Sequence, residues 1–119
     1  MAKPELEFQD TSAQPWQPVS GAVPGIWERI LSRDPQSGDY TRLMKFDPGV
    51  DSSSNGVLVH DHWEEIYILQ GSFTDLRLGQ TFHAGDYACR PPGMPHGPWR
   101  SDEGIVMIEV RYGFPAPGA

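Results

Sequence analysis

Residues 57–71 read VLVHDHWEEIYILQG, two histidines, a tryptophan and two glutamates running straight into an apolar stretch that closes on Gly71. Ile66, Tyr67, Ile68 and Leu69 are suited to a strand, but the ionisable residues ahead of them are not, because burying such groups costs several kcal/mol unless each finds a partner or a metal. Side chains alternate along a strand. A regular strand through this stretch therefore turns His60, His62 and Glu64 to one face, with Asp61, Trp63 and Glu65 on the other.

Two imidazoles and a carboxylate on one face are the start of a metal site. Those donors suit Zn, Fe, Ni or Cu, and two His with one carboxylate and open positions is the ligand set of non-haem Fe(II) oxygenases. A third imidazole is at hand in RPPGMPH, residues 90–96, where PPG fixes a tight turn and delivers His96 to the next segment at a defined angle. His83 has no such context and reads as an ordinary surface or core histidine.

Outward from this stretch the chain is strand-rich. GIWERILSRD and DYTRLMKF flank the turn formers PQSG and predict a hairpin. DPGVDSSSNG, residues 47–56, is a loop, and further strands are expected over 57–62, 64–70, 72–78, 86–90 and 105–112. Residues 1–24, with Pro4, Pro15, Pro18 and Pro24, read as an extended N-terminal arm, and 113–119 (GFPAPGA) as a C-terminal tail with nothing to offer a core. Short, closely spaced strands without a convincing helix or repeat predict an all-β antiparallel sandwich or barrel over 25–112.

Composition narrows the function classes. A chain of 119 residues holds one domain, and 13 Gly with 12 Pro favour short strands joined by turns. Sixteen acidic against nine basic residues give −7, which repels a phosphate backbone and argues against a nucleic-acid partner. The single cysteine, Cys89, cannot form an internal disulfide, the N-terminus has no apolar signal region, and no apolar run is long enough to span a membrane. A cytoplasmic protein is expected. Trp16, Trp27 and Trp63 are many large aromatics for a small surface, and a homodimer in which each arm adds to the partner's sheet edge would cover them.

The two histidine segments resemble the paired motifs of the cupins. HDH followed by EEIYILQG looks like the first motif, and GDYACRPPGMPH, residues 85–96, matches the spacing of the second through His96. EEIYILQGSF, AGDY and RPPGMPHGPW are most similar to the cupin domain of ChrR-type zinc anti-sigma factors and to acetylacetone-dioxygenase-like proteins. The resemblance implies a double-stranded β-helix, or jelly roll, binding one divalent metal through His60, His62, Glu64 and His96. Only Trp63 separates His62 from Glu64, where the family has three or four residues, so Glu65 or a site of three histidines stands as an alternative. The motif's final Asn falls at Arg100.

By that resemblance the metal is Fe(II) first, with Zn, Ni or Mn as alternatives. The activity it implies is that of a dioxygenase on a small diketone or hydroxyketone, with Glu64 offsetting the metal's charge. A zinc-binding sensor or structural cupin, and a metal-dependent isomerase or lyase, are the rivals. Direct sigma-factor inhibition is not expected, since the anti-sigma relatives use a separate zinc-binding helical domain. Met44, Ile66, Ile68, Trp99 and Arg100 are the candidates for the substrate pocket, with a surface salt bridge the competing role for Arg100.

Overall fold

The PQSG turn closes the expected hairpin. In the computed structural model, which describes residues 3–116, β2 (Ile26–Arg33) pairs antiparallel with β3 (Tyr40–Phe46). Asp34 fixes the turn between them, its Oδ1 accepting from the backbone N–H of Gln36 at 2.9 Å and of Ser37 at 3.2 Å. β9 (Ile105–Tyr112) pairs with β3 on one side and with β5 (Trp63–Asp75) on the other.

β5 is a single strand where two were expected, 64–70 and 72–78. The reason lies at Gly71, whose φ of 79° and close approach to Gly104 let the strand bend without ending. Before the bend β5 pairs with β9 and β7 (Tyr87–Arg90); after it, with β6 (Gln80–His83) and β8 (Trp99–Ser101). β8 in turn pairs with β4 (Val50–Asp51), and β1 (Gln17–Pro18) adds to β2. Two curled antiparallel layers result, the double-stranded β-helix, with no α-helix among the described residues and no helix long and apolar enough to cross a membrane.

The layers close on a core of Ile26, Phe46, Val50, Ile66, Ile68, Phe73, Trp99, Ile105 and Met107. Phe73 stacks on Trp99 at 4.1 Å and meets Phe46 edge-on at 5.9 Å. Val19, Ala22 and Val23 pack against the same core, so the arm's end is tied to its own chain. Two expectations need correction. Residues 57–62 form no strand: Leu58 bridges His96, the His60 carbonyl accepts from Gly93 N–H, and the segment takes its backbone partners from the PPG loop. The tail is not idle either, because the half-buried Phe114 stacks on His62 at 4.3 Å.

Candidate metal centre and its relatives

Three elements bring the ionisable residues together. His60 lies in the loop before β5, Glu64 on β5, and His96 beyond the PPG turn, locked to the first loop by Leu58 N–H to His96 O at 2.7 Å and His96 N–H to Leu58 O at 2.9 Å. The His60 and His96 ring centroids are 4.8 Å apart. Glu64 Oε2 stands 3.4 Å from His60 Nε2 and 3.9 Å from His96 Nε2, and one donor atom from each residue falls within 4.8 Å of the others.

Burial leaves these atoms short of partners. His60 Nε2, His62 Nε2 and Glu64 Oε2 are buried and make no hydrogen bond. Orphaned lone pairs cost free energy inside a protein, and a divalent cation satisfies imidazole and carboxylate donors together, so the residues fit a metal. Nδ1 of His96 lies 3.3 Å from the Met94 carbonyl, which holds the N–H there and leaves the Nε2 lone pair for a ligand role.

Electrostatics points the same way. Burial lowers the His60 imidazole to about 4, and the Arg111 guanidinium pushes in the same direction against the pull of Glu64. Burial also lowers His96, so both rings are neutral at pH 7 and their nitrogens free to bind. Burial alone would raise Glu64, but Arg111 and Arg90, joined by His96 and His60, outweigh it and hold the carboxyl below its ordinary range. The carboxylate is fixed from both sides, by Arg90 Nη1 at 2.8 Å from Oε1 and Arg111 Nη2 at 3.2 Å from Oε2.

His62 lies outside the group of three. Its ring stacks between His60, at 4.7 Å, and Phe114, with Nδ1 3.2 Å from Asp61. Glu65 points to the outer face, where it accepts hydrogen bonds from the hydroxyls of Tyr87 and Tyr112.

A cavity of about 410 Å³ opens beside the three residues, a size that admits a small molecule. Met44, Ile66 and Trp99 line it. Ile68 lines a separate void of about 70 Å³, and Arg100 sits outside, nearly half exposed and paired with Asp102 at 3.1 Å. His83 is exposed on β6.

Sequence reasoning missed the cavity's charged wall. Arg42 and Glu109 are buried to 4% and 2% exposure, joined by Nη2 to Oε1 at 2.7 Å, and Arg42 Nη1 also meets Glu28 at 2.7 Å. The signal was present in IVMIEVRY, since Glu109 and Arg111 share the inward parity of Ile105 and Met107.

The family model of the ChrR cupin-like domain matches residues 5–114. The chain belongs to that family. This cupin is also similar in fold to three solved structures. An RmlC-like cupin from Shewanella frigidimarina is 23% identical, with a TM-score of 0.70 over 99% of this chain and 97% of that one. An acetylacetone dioxygenase from Acinetobacter johnsonii is 17% identical, with a TM-score of 0.74 over 92% and 76%. Anti-sigma ChrR in complex with SigE from Rhodobacter sphaeroides is 20% identical, with a TM-score of 0.61, the match covering 86% of this cupin and 51% of that chain. No curated protein matches.

Proposed function

We propose that this cupin is a metal-dependent dioxygenase that binds a small enolisable diketone or hydroxyketone beside one divalent metal, Fe(II) before Zn, Ni or Mn. The observation that carries the reading is the meeting of His60 and Glu64 donor atoms that make no hydrogen bond, with His96 beside them, at the wall of a cavity large enough for a ligand. A purely structural site would be closed, whereas this one faces open space.

His60, Glu64 and His96 would hold the metal, and the buried, unpartnered Nε2 makes His62 the candidate for a fourth position. When bound, the metal supplies Lewis acidity toward a ketone oxygen and, as Fe(II), redox chemistry with O₂. The chain's own residues do the rest. Arg90 and Arg111 keep the Glu64 carboxylate ionised and aimed, Ile66, Phe73 and Trp99 exclude water, and Met44 shapes the wall. The acetylacetone dioxygenase likeness supports this reading. Membership in the ChrR family favours a second one, in which the same site holds zinc and the cavity senses a ligand.

Metal content by plasma mass spectrometry, on tag-free protein beside His96→Ala, tests both. About one iron per chain, lost in the variant and giving diketone-dependent oxygen uptake after anaerobic loading, supports the dioxygenase. Zinc without oxygen uptake under any loading supports the sensor. Absence of any metal sinks the site.

A further inference from the structure

The inner face of the sheet carries a stripe of charge in one register across five strands. Arg33 on β2 pairs with Tyr40 on β3, Tyr40 with Arg111 on β9, Arg111 with Glu64 on β5, and Glu64 with Arg90 on β7. All five line the cavity, and Arg42 joins them from the neighbouring row, opposite Glu109. The chain holds seven arginines at a net charge of −7, and four of the seven line this one cavity.

Their compensation is incomplete. Against Arg33, Arg42, Arg90 and Arg111 stand only Glu28, Glu64 and Glu109. Glu28 and Glu109 are both committed to Arg42 at 2.7 Å, and Glu109 also meets Arg111 Nε at 2.7 Å. Arg33 makes no ion pair among the described residues. Its guanidinium lies 5.4 Å from the Tyr40 ring centroid, with those of Arg42 at 5.4 Å and Arg111 at 5.9 Å around the same ring. Four guanidiniums against three carboxylates leave one positive charge, and a divalent metal adds two more. A neutral diketone would leave the exposed Arg33, and the metal's charge, without an anionic partner at the cavity.

We propose that the ligand is a small organic anion: a dicarbonyl or hydroxyketone compound bearing a carboxylate. Its acid group docks beside Tyr40, on Arg33 and Arg111, while its ketone oxygen reaches the His60, Glu64 and His96 end. This rests on the cavity reading above and names the substrate class for it. Guanidinium forks match the two oxygens of a carboxylate, and the exposed Arg33 meets the anion at the rim. A cluster of cations in a low-dielectric cleft also gathers anions to a protein that otherwise repels them.

Acetoacetate and acetylacetone differ by a carboxylate oxygen in place of a methyl group, so the pair isolates the charge. Each is titrated into metal-free and Zn(II)-loaded protein at pH 7.5 and low salt, followed by amide chemical shifts, with zinc content measured on the same samples. Acetoacetate is expected to bind at least about fivefold more tightly in both forms, with the ratio falling toward one in Arg33→Gln and in high salt. Equal or tighter binding of acetylacetone to the metal-free protein overturns the proposal, as does silence of both compounds or a preference unchanged in Arg33→Gln. An anion preference without zinc uptake would sink the metal reading and leave the anion site standing. Zinc uptake without the preference would do the reverse.

Discussion

Glu64 is the register neighbour of both Arg90 and Arg111, so two cations fix its carboxylate before any metal arrives. Glu64→Gln keeps the shape, removes the charge and leaves both guanidiniums without that partner. Metal affinity, read by competition with a chromophoric chelator, should fall by roughly 10- to 100-fold, and an unchanged affinity would assign the site to histidines alone. The histidines make the apo protein acid-sensitive. His60 and His96 both titrate lower in the fold than in the unfolded chain, where histidine titrates near 6.5, so below that pH the unfolded chain takes up more protons. Their contribution is full above about pH 6.5 and declines as pH falls toward the His60 value of about 4. Apo Tm should drop over that window, and much less so in His60→Ala. At this scale the sequence was informative where a motif fixes spacing, as with the PPG turn and His96. It was silent on Arg42 and Arg90, because a lone arginine in a strand looks the same whether it faces solvent or a buried glutamate across the sheet.

β5 shows why elements were harder to read than residues. A glycine after an apolar run signals an ending, yet Gly71 carries the strand from one layer to the other, and only the partner strands reveal this. A Cβ there would run into the Gly104 carbonyl and lie 3.0 Å from Ile105 Cα, at a φ of 79° that L side chains rarely adopt. Gly71→Ala should therefore destabilise the fold by about 1–3 kcal/mol from backbone strain alone, measured by urea unfolding; a change within experimental error would show that the crossing tolerates a side chain. The Arg42–Glu109 pair between β3 and β9 makes a separate claim. Glu109→Gln leaves Arg42 buried with only Glu28 for a carboxylate, and breaking a buried pair from one side costs about 3–5 kcal/mol. The missed strands β1, β4 and β8 have a common cause: at two or three residues they are too short for alternation to show.

Across the whole molecule, the outer face of the sheet is left more apolar than a solitary domain needs. Trp63, Tyr67, Leu69 and Tyr87 are 38–59% exposed, with Tyr112 stacked on Trp63 as partial cover, and Leu6 and Phe8 stand out from the arm at 51% and 102%. Exposed aromatics gathered on one face mark an interaction surface more often than scattered ones do. Much of the arm is committed to its own chain: Arg29 Nε donates to the Gln14 carbonyl at 2.7 Å, Arg29 and Lys45 lie over the Trp16 ring, and Asn55 Nδ2 donates to the Gly21 carbonyl at 3.0 Å beside the cavity. Removing the entire arm would therefore damage core and cavity together. Residues 1–11 can be removed without touching those contacts, and they carry Leu6 and Phe8. On the proposal that the protein is a homodimer, sedimentation equilibrium should give twice the chain mass for the full protein. If the arms bind the partner's sheet, the shortened chain should dissociate at least about tenfold more readily, since two apolar side chains per subunit leave the interface. An unchanged dimer would place the contact on the sheet face itself, where Tyr67→Glu and Tyr87→Glu should then break it. A monomer at every concentration would leave the aromatic face to some other partner.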